Sequence, residues 1–302
     1  MPLLIRQSLS VSLNDVLEQG PNLLPEILGT LLRFRFCKYA ITCDGVQAFL
    51  QLILNEDDRD ATRFLWFEIE NDADGTNRIL EDNIITYRFS RLPFGLTSSP
   101  FLLSATLKES VEMHSESHKL ASKHLKRNIF MDDFIMTVNT ESYAIKIYHE
   151  IRDLMSPIKL TLAKWNSNSK ELKEIWNQNE TDFKRESMVL GVNWNTESDT
   201  FNQNIDEILL NLNSNPATKR SLLQSIAKFY DPLGLFAPVL VLGKIMFQDT
   251  WFCGIQWDEI LPPGIGIEIQ QMEYRTVIIK GCKNFQVDRS FEFIKHRIPH
   301  IL

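Results

Sequence analysis

The stretch Asn128-Ile-Phe-Met-Asp-Asp-Phe-Ile-Met-Thr-Val138 sets two adjacent acids between apolar and aromatic runs. Asp-Asp in that setting is the composition of a hairpin turn, because Asp tolerates turn geometry and its side chain bonds nearby backbone amides. A turn alone leaves the charge unexplained. Adjacent carboxylates repel, and Phe130, Met131, Phe134 and Ile135 limit their solvation, so both stay ionised cheaply only beside a compensating cation. A divalent metal is the usual candidate.

Two divalent ions need more oxygens than Asp132 and Asp133 provide, so a third carboxylate is expected from a neighbouring strand. Asp44 fits, because residues 36–43, ending Tyr-Ala-Ile-Thr-Cys, read as a buried strand that delivers it. Alone, Asp44 reads equally well as a helix N-cap. Three carboxylates so arranged suit in-line phosphoryl transfer, with one ion acidifying the attacking hydroxyl and the other neutralising the leaving pyrophosphate.

A chain of 302 residues, 44 % hydrophobic and 24 % charged, is expected to be globular, with one large domain or two ordinary ones. Its net charge of −7 argues against a nucleic-acid partner, which draws on clustered Lys and Arg. Residues 118–127, His-Lys-Leu-Ala-Ser-Lys-His-Leu-Lys-Arg, are such a cluster, although a solvated helix face has the same composition. Cys37, Cys43, Cys253 and Cys282 show neither CxxC pairing nor zinc-ligand spacing, which fits a reducing compartment. The N-terminus lacks the apolar core of a signal peptide, and residues 232–247 are interrupted by Pro238 and Lys244. The expectation is a soluble intracellular chain, cytoplasmic or nuclear, with no membrane partner.

From Asp44 the pattern runs strand, helix, strands, helix, hairpin, helix, strand, an α+β order with helices expected on one face of a sheet. Gln47 to Ile53 turns helical; Thr62–Glu70 and Ile84–Leu92 are strands around a polar loop. Ser98-Ser99-Pro100 starts a helix, with Ser as cap and Pro in the first turn. Glu141–Met155 has helical periodicity, Leu160–Ala163 is a strand, and Met188–Trp194 with Thr200-Phe201 forms a hairpin. Beyond about Asn213 the chain is helical, broken by Asp231-Pro-Leu-Gly.

These residues carry a resemblance. Asp44-Gly-Val-Gln-Ala-Phe, Leu92-Pro-Phe-Gly-Leu-Thr-Ser-Ser-Pro, Phe130-Met-Asp-Asp and Leu190-Gly-Val-Asn-Trp follow the order and spacing of the palm motifs of reverse transcriptases. Ser12-Leu-Asn-Asp, Asp57-Asp-Arg-Asp-Ala-Thr-Arg-Phe-Leu-Trp-Phe, Ala163-Lys-Trp-Asn-Ser-Asn-Ser and Phe229-Tyr-Asp-Pro-Leu-Gly-Leu look like the polyprotein of BEL/Pao long-terminal-repeat retrotransposons.

The resemblance implies a right-hand polymerase palm with partial fingers over residues 1–212 and a mainly helical thumb or connection region over 213–302. It implies that Asp44, Asp132 and Asp133 hold two Mg²⁺ ions, or Mn²⁺, and that the partners are an RNA or DNA template with its primer and dNTP. Gly45, Phe49, Phe94, Gly95, Met131 and Lys164 would surround the incoming nucleotide. Phe49 would be the gate against a 2′-hydroxyl, Phe94-Gly95 the loop against nucleotide and template, and Met131 the contact to the primer end. Lys164 would protonate pyrophosphate, and Leu190, Gly191 and Trp194 would form the primer grip. Core packing for Phe49 and simple exposure for Lys164 remain open alternatives.

Where the family usually has Tyr-Val-Asp-Asp, this chain has Phe130-Met131, and Gly45 is smaller than the bulky residue expected there, which would loosen the site. The match begins just before Ser12, so the family's upstream finger strands, with their triphosphate-binding Lys and Arg, are expected to be missing. No acidic constellation for a ribonuclease H follows residue 218, and no Asp-Thr-Gly or Asp-Ser-Gly of a retroviral-type protease occurs. Three readings therefore stand: an RNA-directed DNA polymerase, an inactive nucleic-acid-binding remnant of a decayed element, and an unrelated α+β domain whose acids are only turn residues. The sequence sets no oligomeric state.

Overall fold

In the computed structural model, residues 11–71, 77–178, 186–202 and 217–265 are described. The expected domain boundary at 212/213 and the closing residues 266–302 lie outside them. The described residues begin with α1 (Leu13–Val16) and α2 (Ile27–Phe34), and the apolar run before Asp44 forms β1 (Tyr39–Gly45). The helix expected from Gln47 to Ile53 shrinks to α3 (Ala48–Gln51), because Gln47 adopts φ 51° and Ile53 pairs with Arg91 in an isolated bridge.

A 3-10 turn (Glu56–Thr62) leads into an antiparallel ribbon of β2 (Arg63–Asn71) and β3 (Asn77–Arg88). The second strand starts seven residues earlier than the aromatic run at Ile84 suggested (84 − 77), and the ribbon bulges between Phe67 and Glu68. Next come α4 (Ser99–Met113) and α5 (Lys119–Asn128). Leu103, Leu107 and Val111 are buried on α4, four residues apart as one helix face requires. Pro100 does sit in the first turn, but Ser98 makes no side-chain cap, and the hydroxyl of Ser99 instead donates to the carbonyl of Pro93 at 2.8 Å.

The acid-pair stretch forms a hairpin of β4 (Ile129–Phe130) and β5 (Asp133–Val138), followed by α6 (Glu141–Met155) and β6 (Leu162–Ser167). The sheet order is β4-β5-β1-β6. Ala40 to Cys43 and Phe134 to Val138 are consecutively buried. Successive strand side chains point to opposite faces, so both faces of these strands are covered rather than the one expected.

After α7 (Lys170–Gln178), the strands β7 (Glu186–Val189), β8 (Val192–Asn195) and β9 (Thr200–Asn202) form an antiparallel sheet, one strand more than the expected hairpin. The described part of the C-terminal region is α8 (Lys219–Ala227) and α9 (Ala237–Phe252), around a core of Leu222, Ile226, Val239, Met246, Ile255 and Leu261. Asp231 explains the break between them, because its carboxylate accepts from the amides of Leu235 at 2.8 Å and Phe236 at 2.7 Å, where α9 begins.

Backbone packing divides the chain into two units. One comprises Met1–Leu24, Asp44–Phe134 and His149–Ala163; the other comprises Pro25–Cys43, Ile135–Tyr148 and Lys164–Leu302. Among the described residues no helix is long and apolar enough to cross a membrane.

Candidate active site

Asp44 is the penultimate residue of β1, Asp132 lies in the β4–β5 turn, and Asp133 begins β5. The sheet order makes β5 the neighbour of β1, and the amide of Gly45 donates to the carbonyl of Asp132 at 2.8 Å. Asp44 and the acid pair, distant in sequence, thus occupy adjacent stretches of backbone, and all three acids are half-buried. Among the described residues no three His, Cys, Asp or Glu side chains gather as a metal-holding group, so the carboxylates as placed do not close together. The donor set still fits a hard divalent cation, being three carboxylates at the ends of packed strands.

Met131, between Phe130 and the acids, takes φ 56°. A non-glycine residue held left-handed is strained, at a cost of about 1–3 kcal/mol, and the paired strands on either side impose it. Gly45 does not loosen the site. A Cβ built there would stand 3.3 Å from Leu160 Cδ1 and 3.4 Å from Phe134 Cε2, so neighbouring side chains already fill the space that a bulkier residue would take.

Phe49, on α3, is 5 % exposed, and its ring centroid lies 4.7 Å from that of Phe94, which is 59 % exposed. The gate candidate and the loop candidate therefore pack as an aromatic pair. Gly95 follows at φ 93°, a conformation glycine adopts without strain. Sequence reasoning missed what holds this loop. The side-chain amide of Asn14 donates to the carbonyl of Gly95 at 2.8 Å and its oxygen accepts from the amide of Thr97 at 3.0 Å. Its signal in the sequence was the phrase Ser12-Leu-Asn-Asp, noted only for its resemblance.

The remaining candidates belong to the second unit. Lys164 is exposed on β6 with φ 52°. Leu190 at φ 48° and Gly191 at φ 84° make the two-residue turn between Val189 and Val192, the left-handed pair that a tight hairpin demands. Trp194 is fully buried, so it supports that turn from the core and has no surface of its own to offer. Tyr230 covers the turn: a Cβ on Gly191 would stand 2.8 Å from Tyr230 Cε1. Gly191→Ala is expected to cost about 1–3 kcal/mol in urea unfolding through backbone strain and overlap, and Tyr230→Ala to restore part of it. An unchanged midpoint would show that the turn is not held as described.

The fold is similar to that of retroviral reverse transcriptases. Two solved structures of the foamy viral protease–reverse transcriptase match at 14 % identity. One is in complex with RNA/DNA hybrid, with a TM-score of 0.55 over 84 % of this chain and 29 % of that one. The other, a dRH form with double-stranded DNA, has a TM-score of 0.54 over 86 % of this chain and 38 % of that one. The chain thus spans about a third of their length. No curated protein matches. A family model for reverse transcriptase (RNA-dependent DNA polymerase) matches residues 11–169, and one for the Pao retrotransposon-like RNaseH-like domain matches residues 218–298. The chain belongs to the reverse transcriptase family and is the reverse transcriptase region of a Pao-type retrotransposon.

Proposed function

We propose that the chain is an RNA-directed DNA polymerase unit that adds dNTP to a primer 3′-hydroxyl on an RNA or DNA template. The observation that carries this reading is the hydrogen bond from Gly45 to Asp132, which joins the strand end bearing Asp44 to the turn bearing Asp132 and Asp133. Residues 1–212 act as palm with partial fingers, and 213–302 as thumb or connection. Asp44, Asp132 and Asp133 would hold two Mg²⁺ ions, or Mn²⁺. Bound there, the ions supply acidity for the primer hydroxyl and neutralise charge on the departing pyrophosphate.

The chain's own residues do the rest. Phe94 and Gly95, anchored by Asn14, present backbone to the incoming base and template. Met131, fixed by the turn, meets the primer end, while Leu190 and Gly191 hold the primer strand. Lys164 is the proton donor to pyrophosphate. Phe49, braced by Phe94, excludes a sugar that carries a 2′-hydroxyl. Phe49→Val is therefore expected to lower discrimination against ribonucleotides by on the order of 10-fold or more, read as the ratio of kcat/KM for dNTP to that for rNTP. Unchanged selectivity would return Phe49 to plain core packing. Primer extension on an RNA template by the purified chain, run beside Asp132→Asn, tests the whole reading. Hybrid binding without extension would leave a nucleic-acid-binding remnant.

A further inference from the structure

The turn that carries Leu190 and Gly191 has little side chain to offer a nucleic acid. Leu190 is 8 % exposed and Trp194 is fully buried, which leaves the backbone of the exposed Gly191. An exposed side chain reaches the same point from elsewhere in the chain. Tyr230, in the loop between α8 and α9, is 43 % exposed, and its ring lies along the glycine. A Cβ built on Gly191 would stand 2.8 Å from Tyr230 Cε1, 3.2 Å from Cζ and 3.3 Å from Cδ1. A residue without a side chain is what lets the ring come so close. Because Cζ carries the hydroxyl, the phenol O–H is set beside the turn.

The residues on either side of Tyr230 hold the ring there. Phe229 is buried, with its ring centroid 5.9 Å from that of Phe236. On the other side the Asp231 carboxylate accepts from the amides of Leu235 and Phe236 at the start of α9. The loop also closes on the β7–β9 sheet, where Tyr230 and Phe236 share a small hollow with Val192 and Phe201. All of these residues belong to the second unit. The hydroxyl itself makes no hydrogen bond to another described residue. A donor held in place in this way loses little freedom when it meets an acceptor.

We infer that Tyr230 completes the primer grip as its phosphate-contacting side chain, its hydroxyl donating to a phosphate oxygen of the primer strand. This rests on the reading of Leu190–Gly191 as that grip. Tyrosine hydroxyls are among the donors that proteins place on the phosphates of nucleic acids, where they fix register and orientation without reading sequence. The ring sets where the donor sits, and the hydroxyl makes the contact.

The test is fluorescence anisotropy of a labelled DNA primer annealed to an RNA template, with wild type and Tyr230→Phe. A single methylphosphonate, which removes the charge of one phosphate, is placed in turn at each linkage near the primer 3′ end. Tyr230→Phe keeps the ring against Gly191, so its urea midpoint should match that of the wild type. Its affinity for the unmodified hybrid is expected to fall about 10-fold, the scale of a lost hydrogen bond to a charged group. At one linkage the methylphosphonate should weaken the wild type by a similar factor and leave Tyr230→Phe unchanged, because both changes remove the same contact. Equal affinity of the two proteins for the unmodified hybrid, or losses that add at every linkage, would overturn the assignment and leave the ring as a cover for the turn. The polymerase reading fails separately. A coupled linkage in a wild type that extends no primer would keep the contact and sink the polymerase, whereas a wild type that binds no hybrid would sink both.

Discussion

Asp132→Asn is expected to reduce primer extension on the order of 10³-fold or more, the scale at which single charge-stabilising groups act in phosphoryl transfer. The substitution keeps the shape of the side chain and removes its charge. The backbone carbonyl that receives the Gly45 amide at 2.8 Å is untouched, so the seam between hairpin and strand should hold. Affinity for the RNA–DNA hybrid should then change by less than about tenfold, because backbone phosphate contacts dominate it. A second readout does not depend on turnover. Mn²⁺ should raise the melting temperature of the wild type and raise it less in the variant, since a ligand stabilises by mass action on the folded state. Extension equal to wild type would remove Asp132 from the chemistry. Lost extension with an undiminished Mn²⁺ shift would keep Asp132 in the reaction but take it off the metal.

The strand before Asp44 and the turn at the acid pair were readable because each is a run of apolar residues cut by charge. The helix Glu141–Met155 was readable to the residue, because Ala144, Ile147, Tyr148, Ile151, Leu154 and Met155 are buried at helical spacing. The strand expected at Leu160–Ala163 instead covers Leu162–Ser167. Its last two residues, Asn166 and Ser167, are polar and still buried: the hydroxyl of Ser167 donates to the carbonyl of Ala40 at 2.7 Å, and no hydropathy pattern announces a polar residue satisfied that way. The contact between Asn14 and Gly95 was equally invisible, since it joins residues 81 apart and leaves no local period. The pairing of Phe49 with Phe94 has the same cause, because each ring sits in its own motif and only the fold brings them together.

Trp194→Ala should cost about 3–5 kcal/mol, a large share of the 5–15 kcal/mol that ordinarily separates folded from unfolded chains. The indole is fully buried, edge-on to Phe34 with centroids 4.9 Å apart, and its N–H donates to Asp199 Oδ1 at 2.9 Å. That carboxylate also pairs with Arg35 at 3.0 Å, and the guanidinium, nearly as buried, lies 5.1 Å from the Phe201 ring centroid. Truncation therefore opens a cavity and removes one of the donors that compensate a partly buried charge. Trp194→Phe keeps most of the volume and loses only the N–H, so its cost should be nearer 1–3 kcal/mol. Urea unfolding of the two variants separates the contributions, and equal midpoints would mean that the hydrogen bond, not the packing, holds this core. Extension measured well below the unfolding midpoint gives the functional half. Activity that merely tracks the folded fraction makes Trp194 a support for the Leu190–Gly191 turn, whereas activity lost in a fully folded Trp194→Phe would tie the indole directly to the grip on the primer.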